Sequence, residues 1–162
     1  MNKLITLALL ALGSTFAAAH GDAMHVTAKK SYDPAKVEER SFGHGGNPKK
    51  VNRVIRLEMS DALRFTPSEV TVKLGETVRF MVHNGGQQLH EMVLGTTEEL
   101  KVHADLMKKF PEMEHANANM AHVAPGASGD IVWQFTRRGE YPFACLIPGH
   151  YGAGMVGKVI VR

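Results

Sequence analysis

Cysteine is almost missing from this chain: Cys145 is the only one, so no disulfide can form within it. Aromatics are also sparse, with one tryptophan and three tyrosines. The apolar stretch Leu4 to Leu12 is too short to span a bilayer. Nor is there a strong charge of either sign. Nineteen basic against sixteen acidic residues leave +3, too mild a balance for a nucleic-acid surface. The basic residues Lys29, Lys30, Lys36, Lys49, Lys50, Arg53 and Arg56 gather early in the chain without interleaved aromatics. No glycine-rich phosphate loop, Ser/His/Asp arrangement or nucleophile elbow occurs. No internal repeat is visible. These gaps remove nucleotide-driven, nucleic-acid-binding and hydrolytic functions and predict a protein that is not an enzyme.

What is present starts with an export pattern. Lys3 gives a positive start, Leu4 to Leu12 a short apolar centre, and Ala17-Ala18-Ala19 a small-residue cleavage site. Residues 1–19 therefore read as a signal peptide and the mature protein as periplasmic. In that oxidising compartment an unpaired thiol is a liability unless a metal holds it as thiolate. Residues 20–50 lack periodicity and are rich in charge, Gly and His, which predicts a mobile or loosely draped arm. Cleavage after Ala19 would make His20 the N-terminus, with an amine and imidazole suited to chelation.

From residue 51 to 162 one domain is expected. Ile55, Leu57 and Met59 alternate with polar residues, as do Val70, Val72 and Leu74, then Val78, Phe80 and Val82 beyond the Gly75-Glu76 turn. Ile131, Trp133 and Phe135 repeat the pattern, followed by Tyr141 and Phe143 and by Val156 to Val161. This is the patterning of an all-β, antiparallel sandwich. One helix interrupts it. Thr96 and Glu99 form a capping box, Leu100, Met107 and Phe110 recur at helical spacing, and Pro111 ends the run. A helix over 97–109 on the flank of the sandwich follows.

The chemistry gathers in Phe143-Ala-Cys-Leu-Ile-Pro-Gly-His-Tyr-Gly-Ala-Gly-Met155. Cys145, His150 and Met155 place a thiolate, an imidazole and a thioether in one connection between two strands, which Pro148 and the glycines at 149, 152 and 154 allow to fold back. Singly, a cysteine is most often a small buried apolar residue and a methionine a space-filler. Together in this order they form a copper ligand set, complete once a second histidine joins it. His83 and His90 both compete for that place. A second group, His103, Met113, His115, Met120 and His122, holds soft and borderline donors that could bind additional copper in segment 103–122. Its methionines could equally be packing over the loop.

Three segments, Phe65 to Phe80, His90 to Thr96 and Phe143 to Met155, make the sequence over roughly 52–162 resemble the cupredoxins, and among them the small periplasmic cupredoxins associated with bacterial copper tolerance. The resemblance implies a Greek-key β-sandwich and one type 1 copper ion held by His90, Cys145, His150 and Met155. It favours His90 over His83. It implies either a copper-tolerance role with redox cycling of the bound ion or a mobile electron carrier, with any redox partner docking near His150. Copper oxidases and nitrite reductases place a histidine beside the cysteine, whereas Ala144 and Leu146 flank it here; a binuclear centre needs a second cysteine. Glu91 stands where many relatives have a smaller polar residue bracing the ligand loop.

Overall fold

Alternating apolar residues turn one face of each strand inward, and eleven strands pack in two sheets around that shared interior. The computed structural model describes residues 32–111 and 116–162. The leader expected over 1–19, His20, Met113 and His115 lie outside the described residues. The strands are β1 (Glu39–Arg40), β2 (Gly43–Gly45), β3 (Arg53–Ser60), β4 (Arg64–Thr66), β5 (Glu69–Val72), β6 (Thr77–Asn84), β7 (His90–Leu94), β8 (Met120–Val123), β9 (Ser128–Phe135), β10 (Gly139–Ala144) and β11 (Val156–Val161). One sheet runs β1-β2-β9-β6-β3-β4 and the other β5-β11-β10-β7-β8. The chain crosses between the sheets repeatedly, giving the expected cupredoxin sandwich.

Two pairs depart from the antiparallel expectation: β3 runs parallel to β6 and β5 parallel to β11. Period-two alternation reports which face is buried and carries no information about strand direction. The interior is closed by Phe80, Trp133, Phe135 and Phe143, all fully buried. Each such side chain contributes roughly 1.5–3 kcal/mol relative to exposure.

The arm expected over 20–50 is, in its second half, part of the sandwich. Phe42 is fully buried, with its ring 4.9 Å from Tyr141 and 5.2 Å from Trp133. β2 pairs with β9 through Gly43↔Phe135 and Gly45↔Trp133. A Cβ on Gly43 would lie 2.1 Å from the Gln134 carbonyl oxygen, so glycine permits this approach. Strands of two and three residues on either side of one aromatic leave no periodicity to read.

The helix, α1 (Thr97–Lys109), has the expected bounds and capping box: Thr96 Oγ1 accepts from the Glu99 N–H, and Glu99 Oε2 accepts from the Thr96 N–H. Leu100, Ala104 and Met107 pack with Val93, Met120, Ala144 and Leu146 in a second apolar cluster on the outer face of the β7–β10 region. Phe110, expected on that face, caps the helix instead and is 56% exposed. Among the described residues no helix is long and apolar enough to cross a membrane.

Candidate metal centre

The turn between β10 and β11 is closed at its neck and knotted within. Cys145 N–H donates to the Met155 carbonyl at 3.1 Å and Met155 N–H to the His150 carbonyl at 3.0 Å, while His150 N–H reaches Ile147 O at 2.9 Å. Gly149 and Gly154 take φ values of 92° and 87°, in the left-handed region glycine tolerates. The Arg64 guanidinium at the start of β4 donates to Ala153 O at 3.0 Å, tying the loop to the opposite sheet. The side chains that leave this frame are therefore fixed in direction.

His90 enters from the first position of β7. Asn84, fully buried, shapes the preceding turn: its Nδ2 donates to the carbonyls of Gln88 and Val123, both at 2.8 Å, and its Oδ1 accepts from the Gly86 N–H. The result is a convergence. Cys145 Sγ lies 3.3 Å from His150 Nδ1 and 4.0 Å from His90 Nδ1. Ligand atoms of the three residues all fall within 4.8 Å of one another. Bonds of about 2.0–2.3 Å from a trigonal ion would set such donors about 3.5–3.8 Å apart, and the two observed separations bracket that range. Met155, fully buried, belongs to the same core cluster as Cys145. The thiol, two imidazoles and a nearby thioether match copper's preference for soft sulfur and imidazole. His83 lies apart on β6, with Nδ1 3.2 Å from Ser128 Oγ.

Burial governs the electrostatics. It pushes the Cys145 thiol up to about 12, with the Glu91 charge adding to the rise and the backbone N–H groups of Glu91 and Ile147 opposing it. Desolvation, with a smaller contribution from the neighbouring His90, holds His150 below its ordinary value, which favours an imidazole able to donate a lone pair. His150 is 7% exposed while His90, Cys145 and Met155 are completely enclosed. It is thus the member of the set nearest solvent, as its mid-loop position predicts.

Two acidic residues outside the ligand set complete the surroundings. Glu91, fully buried, brings its N–H to 3.4 Å from Cys145 Sγ, accepts from the Leu146 N–H through Oε1 at 3.0 Å, and sets Oε2 3.0 Å from His122 Nδ1. It therefore braces the cysteine sulfur and the backbone that follows it. Asp61, in the β3–β4 turn, has Oδ1 3.2 Å from His90 Nε2. Neither could be found by spacing; the first depends on β7–β8 pairing, the second on where a remote turn lands. The 103–122 segment does not assemble as a unit among the described residues: Met120 is buried in the helix-side cluster, His122 stands against Glu91, and His103 lies on α1.

Residues 52–162 match the family of copper-binding proteins described as the plastocyanin/azurin family. The chain is 48% identical to the copper-resistant cuproprotein CopI of Rubrivivax gelatinosus, the alignment covering 99% of each. It is 31% identical to the copper-resistant cuproprotein CopI of Pseudomonas aeruginosa, over 99% of this chain and 98% of that one. Its fold is similar to that of dithionite-reduced auracyanin from Roseiflexus castenholzii, with a TM-score of 0.59 and 24% identity over 69% of this chain and 98% of the other.

Proposed function

Because this chain belongs to the plastocyanin/azurin family of copper-binding proteins, we propose that His90, Cys145, His150 and Met155 hold one type 1 copper ion and that the protein serves copper tolerance in the periplasm. The observation that carries this reading is the convergence of one enclosed thiol with two imidazole Nδ1 atoms. The copper supplies one-electron chemistry between its two oxidation states. The residues supply the rest. The proton that burial keeps on Cys145 would leave if a metal were held there. The knotted loop and the sheets resist rearrangement, which suits an ion that changes charge in place. Glu91 holds Leu146 and thereby the sulfur beside it.

The tolerance role is supported by likeness over nearly the full length to two proteins named as copper-resistant. We read the protein as a binding and redox protein and not an enzyme in its own right, since Cys145 lacks the histidine neighbour that wires such sites to a catalytic copper. Additional copper in the His/Met-rich 103–122 segment stands as the alternative to packing over the loop, and the described members of that segment do not converge on one point. The second reading, a mobile electron carrier, is favoured by the surroundings of His150: Pro148 and Ala153 are exposed and Ile147 and Tyr151 half-buried beside it, an apolar patch suited to a brief encounter with a redox partner.

Titration of the purified protein with Cu(II) tests the site. One intense thiolate-to-copper band is expected, and stoichiometry above one would report the further ions. Retention of the band in Cys145→Ala would overturn the assignment. Deleting the gene separates the roles: copper sensitivity with normal respiration is the tolerance outcome, and a respiratory defect at low copper the carrier outcome.

A further inference from the structure

Asp61 lies in the β3–β4 turn, 29 positions before His90, yet its carboxylate gathers the polypeptide that leads into that histidine. Oδ2 accepts from the Gln87 N–H at 2.7 Å and Oδ1 from the Gln88 N–H at 3.2 Å, while Oδ1 also meets His90 Nε2 at 3.2 Å. An ionised carboxylate can only accept. His90 Nε2 thus faces an acceptor that already takes two backbone N–H groups, and Nδ1 faces Cys145 Sγ.

The approach is built into the backbone. A Cβ on Gly86 would lie 2.2 Å from Asp61 Oδ1 and 2.7 Å from its Cγ, so any side chain at 86 displaces the carboxylate. Asn84, which bonds the Gly86 N–H, holds that glycine in place.

We propose that Asp61 is a positioning residue of the metal centre, fixing the tautomer and direction of His90 and, through its negative charge, favouring the cupric over the cuprous ion. This rests on the copper reading given above. A carboxylate behind a ligating imidazole raises its basicity and locks its orientation, and a nearby negative charge stabilises the more highly charged metal. The Asp61 side chain is 35% exposed, so water screens part of that charge.

Three full-length variants test it: Asp61→Asn, Asp61→Ala and Gly86→Ala. Cu(II) affinity, the thiolate-to-copper band and the midpoint potential are measured for each. Asp61→Asn keeps an acceptor for the Nε2 proton and removes the charge, so a higher potential with a nearly unshifted band is expected. Asp61→Ala loses both, so the band should shift as well and Cu(II) binding weaken roughly ten- to hundredfold. Gly86→Ala should move all three readouts in the Asp61→Ala direction. Wild-type band, affinity and potential in Asp61→Asn and Asp61→Ala overturn the proposal, even if melting temperature falls, because Asp61 would then only cap a turn. Should Asp61→Ala fail to fold, an unchanged potential in Asp61→Asn overturns it alone. A wild-type protein without the band sinks the copper reading, and this proposal with it, and that failure is recognisable before any variant is made.

Discussion

The ligand loop and the His/Met-rich segment hold similar side chains and differ in how they are held. Between Cys145 and Met155 the donors are spaced by five residues each, and the backbone is bonded across its own neck. The described histidines and methionines of segment 103–122 are divided between a helix and a strand. They answer to different neighbours: Met107 and Met120 to the apolar cluster under α1, His122 to Glu91. Composition nominates both regions equally. A rigid frame that aims several side chains at one point distinguishes the loop.

The largest test of that contrast is Cys145→Ala, which should abolish the thiolate-to-copper band entirely, while Met113→Ala/His115→Ala leaves it in place; the visible spectrum of the copper-loaded proteins decides. Next, Met120→Ala should cost about 2–5 kcal/mol in urea unfolding with the band unmoved, as befits a core residue. If the band moved instead, the two regions would be one site. The Cys145 thiol supplies a third test. Its folded value of about 12 stands above its ordinary 9.0, so above pH 9 the unfolded thiol ionises while the folded one keeps its proton. The copper-free protein should therefore lose stability as pH rises, by at most about 4 kcal/mol at pH 12. Copper-loaded protein, already a thiolate, should lack this slope, as should Cys145→Ala. The smallest effect concerns the bridge between the regions. Glu91→Ala leaves the buried Leu146 N–H without its acceptor, at about 1–3 kcal/mol, and should shift the band. Glu91→Gln, which retains a carbonyl oxygen there, should recover most of both.

Legibility in the sequence followed separation along the chain. The loop could be read because its ligands and its turn-forming Pro148, Gly149 and Gly154 are close neighbours. Helix α1 could be bounded to the residue because Thr96, Glu99 and Pro111 state its limits locally. His90 was readable only once the loop demanded a second imidazole and the family likeness preferred it to His83. The Glu91–His122 contact depends on β7–β8 pairing, which sets those residues opposite each other. Asp61 reaches His90 only because β3 runs beside β6 and delivers its turn to that end of the sandwich. The strand β8 was hidden inside a stretch whose histidines and methionines suggested metal before they suggested a sheet. Strand direction was invisible throughout.

The family likeness begins at residue 52, but the cooperative unit starts earlier. β2 covers the outer edge of β9, and β1, only two residues long, forms the rim beyond it. A truncated protein beginning at the family boundary would leave the β9 hydrogen-bonding edge open and strip Phe42 from Trp133. Unpaired edges of that kind template association with other chains. Expression of such a fragment should yield self-associating material, and the shortest well-behaved version of this protein has to retain residues 39–51.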